Sequence, residues 1–330
     1  MLSRSLPLPP LAVLLAVLLA GLLAACTADE RPLPPVVEDP DLAGLTDGGV
    51  PYPGELPAAV PCGPLLTEDG VLIYGTFLPS PAPDPAPLVL LTHGMGQTRR
   101  DFVTTPGGLV DSLRRQGFAV LTHDLRGHGE SKFRQLTGLA GEPCQEPGQC
   151  RSRQCVAQRC TEPQGEGEEV PPRQEPYLYT SFGAAEWALL RLDLRRLDTL
   201  LEARRQEWSL DLDRRLFLGS DVGAGGLLRY LGAAPPGRAA VLLGPLQGGV
   251  DRLGAADLQQ LAALLPRALP LLLVAGADDR LSSQALASLA QGFPTAEQWR
   301  VEGTGSHGLA LLAQQEATRQ RVVQWLTANR

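Results

Sequence analysis

The chain has 330 residues, of which 44% are hydrophobic and 20% charged, the balance of a globular protein rather than a disordered or fibrous one. Its formal net charge of −7 argues against nucleic acid as a partner. That length allows one large domain or two small ones.

Residues 1–25 read as an export signal and stand outside the fold. Arg4 supplies a positive start, Leu11 to Leu23 form an apolar run, and Ala24 and Ala25 close it before Cys26. The run is shorter than the ~20 residues a membrane span needs. Leu23-Ala24-Ala25-Cys26 resembles a bacterial lipobox. That resemblance implies lipidation at Cys26 and a membrane anchor. Thr27, where an Asp would signal inner-membrane retention, implies the outer membrane of a two-membrane envelope. Residues 26–63 are rich in Pro, Gly and acidic residues and read as a tether. The folded domain is expected over 64–330.

Leu65 to Leu78 has the pattern of a hairpin turning at Glu68-Asp69-Gly70. Leu88 to Thr92 is an apolar strand, and Thr92-His93-Gly94-Met95-Gly96 follows at its carboxyl end. A glycine-rich turn there can aim backbone N–H groups at a developing oxyanion. Met95 is one candidate donor, and His93 reads better as a structural residue beneath the loop. A helix near 107–116 and a strand over Phe118 to Thr122 lead to Asp124-Leu125-Arg126-Gly127-His128-Gly129-Glu130-Ser131. His128 is expected at the rim of the cleft.

Residues 132–182 break the pattern, with no clear helix or strand. They hold Cys144, Cys150, Cys155 and Cys160, separated by five, four and four residues. In an exported chain these are candidates for two disulfides, and the spacing lacks the CxxC pairs of a zinc site. Cys62 would then be the unpaired thiol. The insertion is read either as a lid over the cleft or as a docking module for a protein partner.

From residue 184 onward helices and strands alternate. A helix is predicted over 184–206, with Trp187, Leu190, Leu194, Leu197 and Leu201 at helical spacing. Strands are predicted at 215–219, Ala239 to Leu243, Leu269 to Ala275 and Gln298 to Val301, and helices at 255–265, 282–292 and 309–328. Such alternation indicates a mostly parallel α/β sheet with helices on both faces, binding ligands at the carboxyl ends of its strands.

The first of these strands runs into Gly219-Ser220-Asp221-Val222-Gly223 and then a helix. Glycines two residues either side of Asp221 suit a sharp corner that projects one side chain into a cleft. Centred on Ser220, the corner would carry Leu218 and Val222 at those positions, both too bulky. The Val222 N–H is the second candidate oxyanion donor. Gly276-Ala277-Asp278-Asp279 follows the later strand, and its spacing favours Asp279 over Asp278 as a carboxylate that orients a histidine. His307, in Gly303-Thr304-Gly305-Ser306-His307-Gly308, is the candidate base.

The order Asp221, Asp279, His307 resembles the nucleophile–acid–histidine order of the α/β-hydrolase family, and 93–96 and 124–131 resemble its oxyanion loop and Asp-x-Arg-Gly-x-Gly-x-Ser segment. The resemblance implies a hydrolase of a small molecule with no metal or organic cofactor. It departs from the usual serine nucleophile. Family members with Asp at the apex are dehalogenases and epoxide hydrolases, in which the carboxylate attacks an alkyl carbon. Those usually place an aromatic residue where this chain has Val222, and a helical cap where Pro245 to Gly254 is short. An inactive, lipid-anchored binding or scaffold protein is the alternative reading.

Overall fold

The computed structural model describes residues 55–82, 85–103, 108–136, 145, 149, 154–161, 173–233, 237–245 and 269–330. The predicted signal and Cys26, most of the tether, Cys144, Cys150 and the helix expected at 255–265 lie outside these residues.

In chain order the strands are β1 (Val60–Leu66), β2 (Leu72–Leu78), β3 (Ala86–Thr92), β4 (Ala119–His123), β5 (Phe133–Leu136), β6 (Cys155–Val156), β7 (Arg159–Cys160), β8 (Arg173–Pro176), β9 (Leu210–Ser220), β10 (Ala239–Leu243), β11 (Leu271–Gly276) and β12 (Glu297–Val301). The helices are α1 (Arg100–Val103), α2 (Leu109–Arg115), α3 (Ala184–Ala188), α4 (Leu190–Arg204), α5 (Val222–Leu231), α6 (Arg280–Gly292), α7 (Ala310–Gln314) and α8 (Glu316–Ala328).

Eight strands form one sheet in the order β1-β2-β4-β3-β9-β10-β11-β12. β1 and β2 pair antiparallel, as do β2 and β4, and from β4 through β12 every pairing is parallel. The central strands are apolar along their whole length because both faces are covered. Side chains alternate between the two faces. Leu88, Leu90, Phe217, Ala240, Leu242, Leu271 and Leu273 join one core with α4, α5 and α6. Val89, Leu91, Leu216, Leu218, Val241, Leu272 and Val274 join the other with α2, α7 and α8. Among the described residues, no helix is long and apolar enough to cross a membrane.

Five local expectations change. β1 begins at Val60, inside the stretch assigned to the tether. The helix expected over 184–206 is two helices meeting at Leu189, and the one over 309–328 is two meeting at Gln315. The insertion is not structureless: β5 and β8 pair antiparallel at its two ends, and β6 and β7 form a small hairpin with Cys155 opposite Cys160. Finally, β9 starts at Leu210, five residues before the expected strand, and its register against β3 shifts between Asp211 and Arg215.

Candidate active site

The corner after β9 centres on Asp221. Its backbone sits at φ 51°, ψ −120°, a region that costs a non-glycine residue about 1–3 kcal/mol. Neighbouring bonds hold it there: the Asp221 N–H donates to Leu243 O at 3.0 Å, and the Ala224 N–H to Asp221 O at 3.1 Å. Both flanking glycines are sterically required. A Cβ on Gly219 would lie 2.7 Å from Ala224 Cα, and one on Gly223 would lie 2.3 Å from His93 O. Ser220 is fully buried, with no partner for its hydroxyl. The frame centred on Asp221 is therefore the one the chain adopts.

The Asp221 carboxylate is 9% exposed as a residue and its two oxygens have different surroundings. Oδ2 accepts the Met95 N–H at 3.0 Å. Oδ1 has no hydrogen-bond donor and lies 3.4 Å from His307 Nε2, itself without a partner. Of the two expected oxyanion donors only Met95 bonds to this carboxylate. Val222 is the first residue of α5, so its N–H lacks an intrahelical acceptor. The loop carrying Met95 is braced from within, because the Gly94 N–H donates to the Gln97 side-chain oxygen at 2.8 Å.

On the far side of the imidazole, His307 Nδ1 lies 2.6 Å from Asp279 Oδ2. Asp279 caps α6, where it accepts the Ser282 N–H, and Asp278 is a turn residue whose N–H donates to Thr304 O. Ser282 was not anticipated from sequence: its hydroxyl donates to Asp279 Oδ2 at 2.5 Å and lies 2.9 Å from His307 Nδ1. Gly308 takes φ 54° beside it, where a Cβ would collide with the Ser220 hydroxyl.

These contacts set the charges. Burial works against a charged His307, but the nearby Asp221 carboxylate and the hydrogen-bonded Asp279 outweigh it and raise the imidazole above its ordinary 6.5. Burial likewise opposes the Asp279 carboxylate, and bonds from Ser282 and His307 prevail and lower it. His93 is buried and structural, as expected. The Leu125 N–H donates to its Nε2 at 2.9 Å, so the proton sits on Nδ1, 2.7 Å from Gly94 O. Burial, then the nearby His128, pushes His93 well below 6.5.

The segment at 124–131 is scaffolding. Asp124 accepts the Arg99 and Glu130 N–H groups and pairs with the Arg99 side chain. Arg126 is wholly buried between Asp193, at 2.6 Å, and Asp69, at 2.7 Å. The Ser131 hydroxyl accepts the Tyr74 N–H. His128 is buried and stacks on Tyr179, with centroids 4.1 Å apart and planes 12° apart. Aromatic residues do reach the corner, though from elsewhere in the chain. Val222 packs with Leu125, Phe182, Trp187 and Leu190, flanked by Tyr177 and Tyr179. They come from the segment that returns from the insertion, which periodicity could not place next to the elbow. Among the described residues no group of three or more His, Cys, Asp or Glu is arranged to hold a metal ion.

No family model matches the sequence, and no curated protein matches it. Solved structures do. A thermostable carboxyl esterase from Bacillus coagulans superposes with a TM-score of 0.55 at 10% identity, covering 83% of this chain and 99% of its own. An esterase from Pyrococcus furiosus gives 0.52 at 16% identity, over 90% of this chain and 98% of its own. A dienelactone hydrolase from Anabaena variabilis gives 0.51 at 15% identity, over 83% and 97%. The chain has the α/β-hydrolase fold: a mostly parallel sheet covered by helices on both faces.

Proposed function

We propose that the chain is a hydrolase of small molecules in which Asp221 is the nucleophile, His307 the base and Asp279 the group that orients His307. One observation carries this reading. Asp221 Oδ1 is a carboxylate oxygen with no donor of its own, 3.4 Å from His307 Nε2, while Oδ2 is held by the Met95 N–H.

A serine at this corner would need the imidazole to remove its proton before attacking. A carboxylate has no such proton, and its attack on an acyl carbon would yield only a reactive anhydride. The chemistry that suits it is displacement at an alkyl carbon carrying a halide or an epoxide oxygen. The Asp221 Oδ1 lone pair forms the new C–O bond as the leaving group departs with the electrons of the old one. The product is an alkyl ester of Asp221. His307 Nε2 then takes a proton from water, and the resulting hydroxide adds to the ester carbon of Asp221. Negative charge develops on Oδ2, where the Met95 N–H already points. Collapse expels the alcohol, which takes up the proton from His307; the Asp221 carboxylic acid left behind restores the carboxylate by giving its proton to solvent or, for an epoxide, to the alkoxide formed in the first step.

Changing His307→Gln should leave the first step intact and block the second. Exposure of that variant to a panel of alkyl halides and epoxides, followed by mass spectrometry, is expected to find a stable ester on the peptide carrying Asp221. No adduct from any member of the panel rejects the reading. An inactive binding protein, the second reading, has its own support: Oδ2 already occupies the Met95 N–H that an ester substrate's oxyanion would need. It predicts an unmodified Asp221 in the same experiment.

A further inference from the structure

We infer that Ser282 is a positioning residue of this site: its buried hydroxyl ties the Asp279 carboxylate and the His307 ring into one unit and limits how tightly His307 holds its proton. The inference deepens the proposed reaction and rests on the same site.

Its basis is where the hydroxyl sits. Asp279 is the N-cap of α6, and Ser282 is the third helical residue after it. Its N–H donates to Asp279 Oδ1 at 3.3 Å, which is ordinary capping. A long Glu or Gln at that position would reach back to the N-cap N–H. Serine is too short for that. Its hydroxyl instead lies 2.5 Å from Asp279 Oδ2 and 2.9 Å from His307 Nδ1. Capping does not call for either contact. The residue is fully buried, so water is excluded from replacing the hydroxyl.

The proton count fixes the direction. With His307 Nδ1 only 2.6 Å from a carboxylate oxygen, the proton on that edge of the ring belongs to Nδ1. Ser282 has one proton to give, and it goes to the same Asp279 Oδ2. Two donors therefore share one oxygen. Its negative charge is spread between them, and each receives less than it would alone. The Ser282 oxygen also accepts weakly from the Nδ1–H, which fixes the tilt of the ring. Nε2 is left as the free lone pair facing Asp221. The titratable groups that bear on His307 are Asp221 at the corner and Asp279 at the head of α6. Removing the Ser282 hydroxyl would leave Asp279 with the imidazole as its main donor. The imidazolium would then be held more tightly and the base would be harder to free.

Titration of His307 by NMR in the full chain tests this without needing turnover. The chain has four histidines. The other three, His93, His123 and His128, are buried and titrate below the ordinary 6.5, so the resonance that titrates above it is His307, and His307→Gln identifies it. Ser282→Ala should raise the His307 midpoint by roughly half a pH unit, the equivalent of one modest hydrogen bond. Ser282→Thr, which keeps the hydroxyl, should restore it. Where Ser282→Ala fails to fold, Ser282→Cys keeps the volume with a far weaker donor and carries the same expectation. A folded variant whose midpoint is unchanged or lower overturns the inference. If the midpoint rises as expected while His307→Gln forms no ester with any electrophile, the proposed reaction fails and the positioning role stands.

Discussion

At the scale of single residues, Asp221 has two effects on His307 that pull against each other. As an anion it helps raise the imidazole, which is unwelcome for a group that must accept a proton. In the proposed reaction, esterification of Asp221 removes its charge. Only Asp279 then favours the imidazolium, so the base is released when the ester is ready for water. Asp221→Asn reproduces that loss of charge in the resting protein. It should lower the His307 midpoint by about one pH unit, the usual size for removal of one opposite charge at contact distance. An NMR titration showing the same midpoint in Asp221→Asn and the unaltered protein would mean that the 3.4 Å pair has no electrostatic consequence. These groups were legible in the sequence because each sits at a strand end beside small residues. Ser282 was not. A serine in the first turn of a helix is unremarkable until His307, 25 positions away, is seen to meet it and Asp279 there.

At the scale of elements, the corner depends on how closely α5 approaches β3. Gly223, in the first turn of α5, leaves no room for a methyl: a Cβ would lie 2.3 Å from His93 O and 2.9 Å from Thr92 O, both backbone atoms of the oxyanion loop and its strand. Gly226, one turn on, faces only the Leu190 side chain, at 2.8 Å. Backbone cannot retreat as a leucine can. Gly223→Ala should therefore destabilise the fold by about 2–3 kcal/mol, and Gly226→Ala by clearly less. Equilibrium unfolding in urea measures both, and equal losses would show that the helix moves away from the strand as a rigid unit. The buried parallel strands were legible because their unbroken apolar runs have one physical explanation. The β5–β8 pair was not, since Phe133-Arg134-Gln135-Leu136 and Arg173-Gln174-Glu175-Pro176 are mostly polar and only partly buried. Nor were the breaks at Leu189 and Gln315, where neither Pro nor Gly interrupts the helical pattern.

At the scale of the whole molecule, the histidines make stability depend on acidity. His123 closes β4 between β2 and β3, fully buried, and neither ring nitrogen has a hydrogen-bond partner. Burial drives it from 6.5 to about 3; the Leu91 backbone opposes the drop and repulsion from Arg99 adds to it. His93 and His128 are lowered as well, again chiefly by burial. Below pH 6.5 the unfolded chain takes up protons that these folded histidines refuse, so stability falls as pH drops, for His123 down to about 3. His307 has the opposite sign. Its raised value contributes stability that is fully present below 6.5 and is lost as pH rises through its folded midpoint. One such group offsets only part of three. His123→Leu removes two unpartnered nitrogens and one of the refused protons at similar volume. Between pH 6 and 4 it should flatten the fall in unfolding free energy by about 1.4 kcal/mol per pH unit, the value for one proton. Urea midpoints across that range supply the measurement. A slope unchanged by the substitution would place the acid sensitivity in the carboxylates, with Asp69, which Arg126 lowers against the pull of burial, the first to examine.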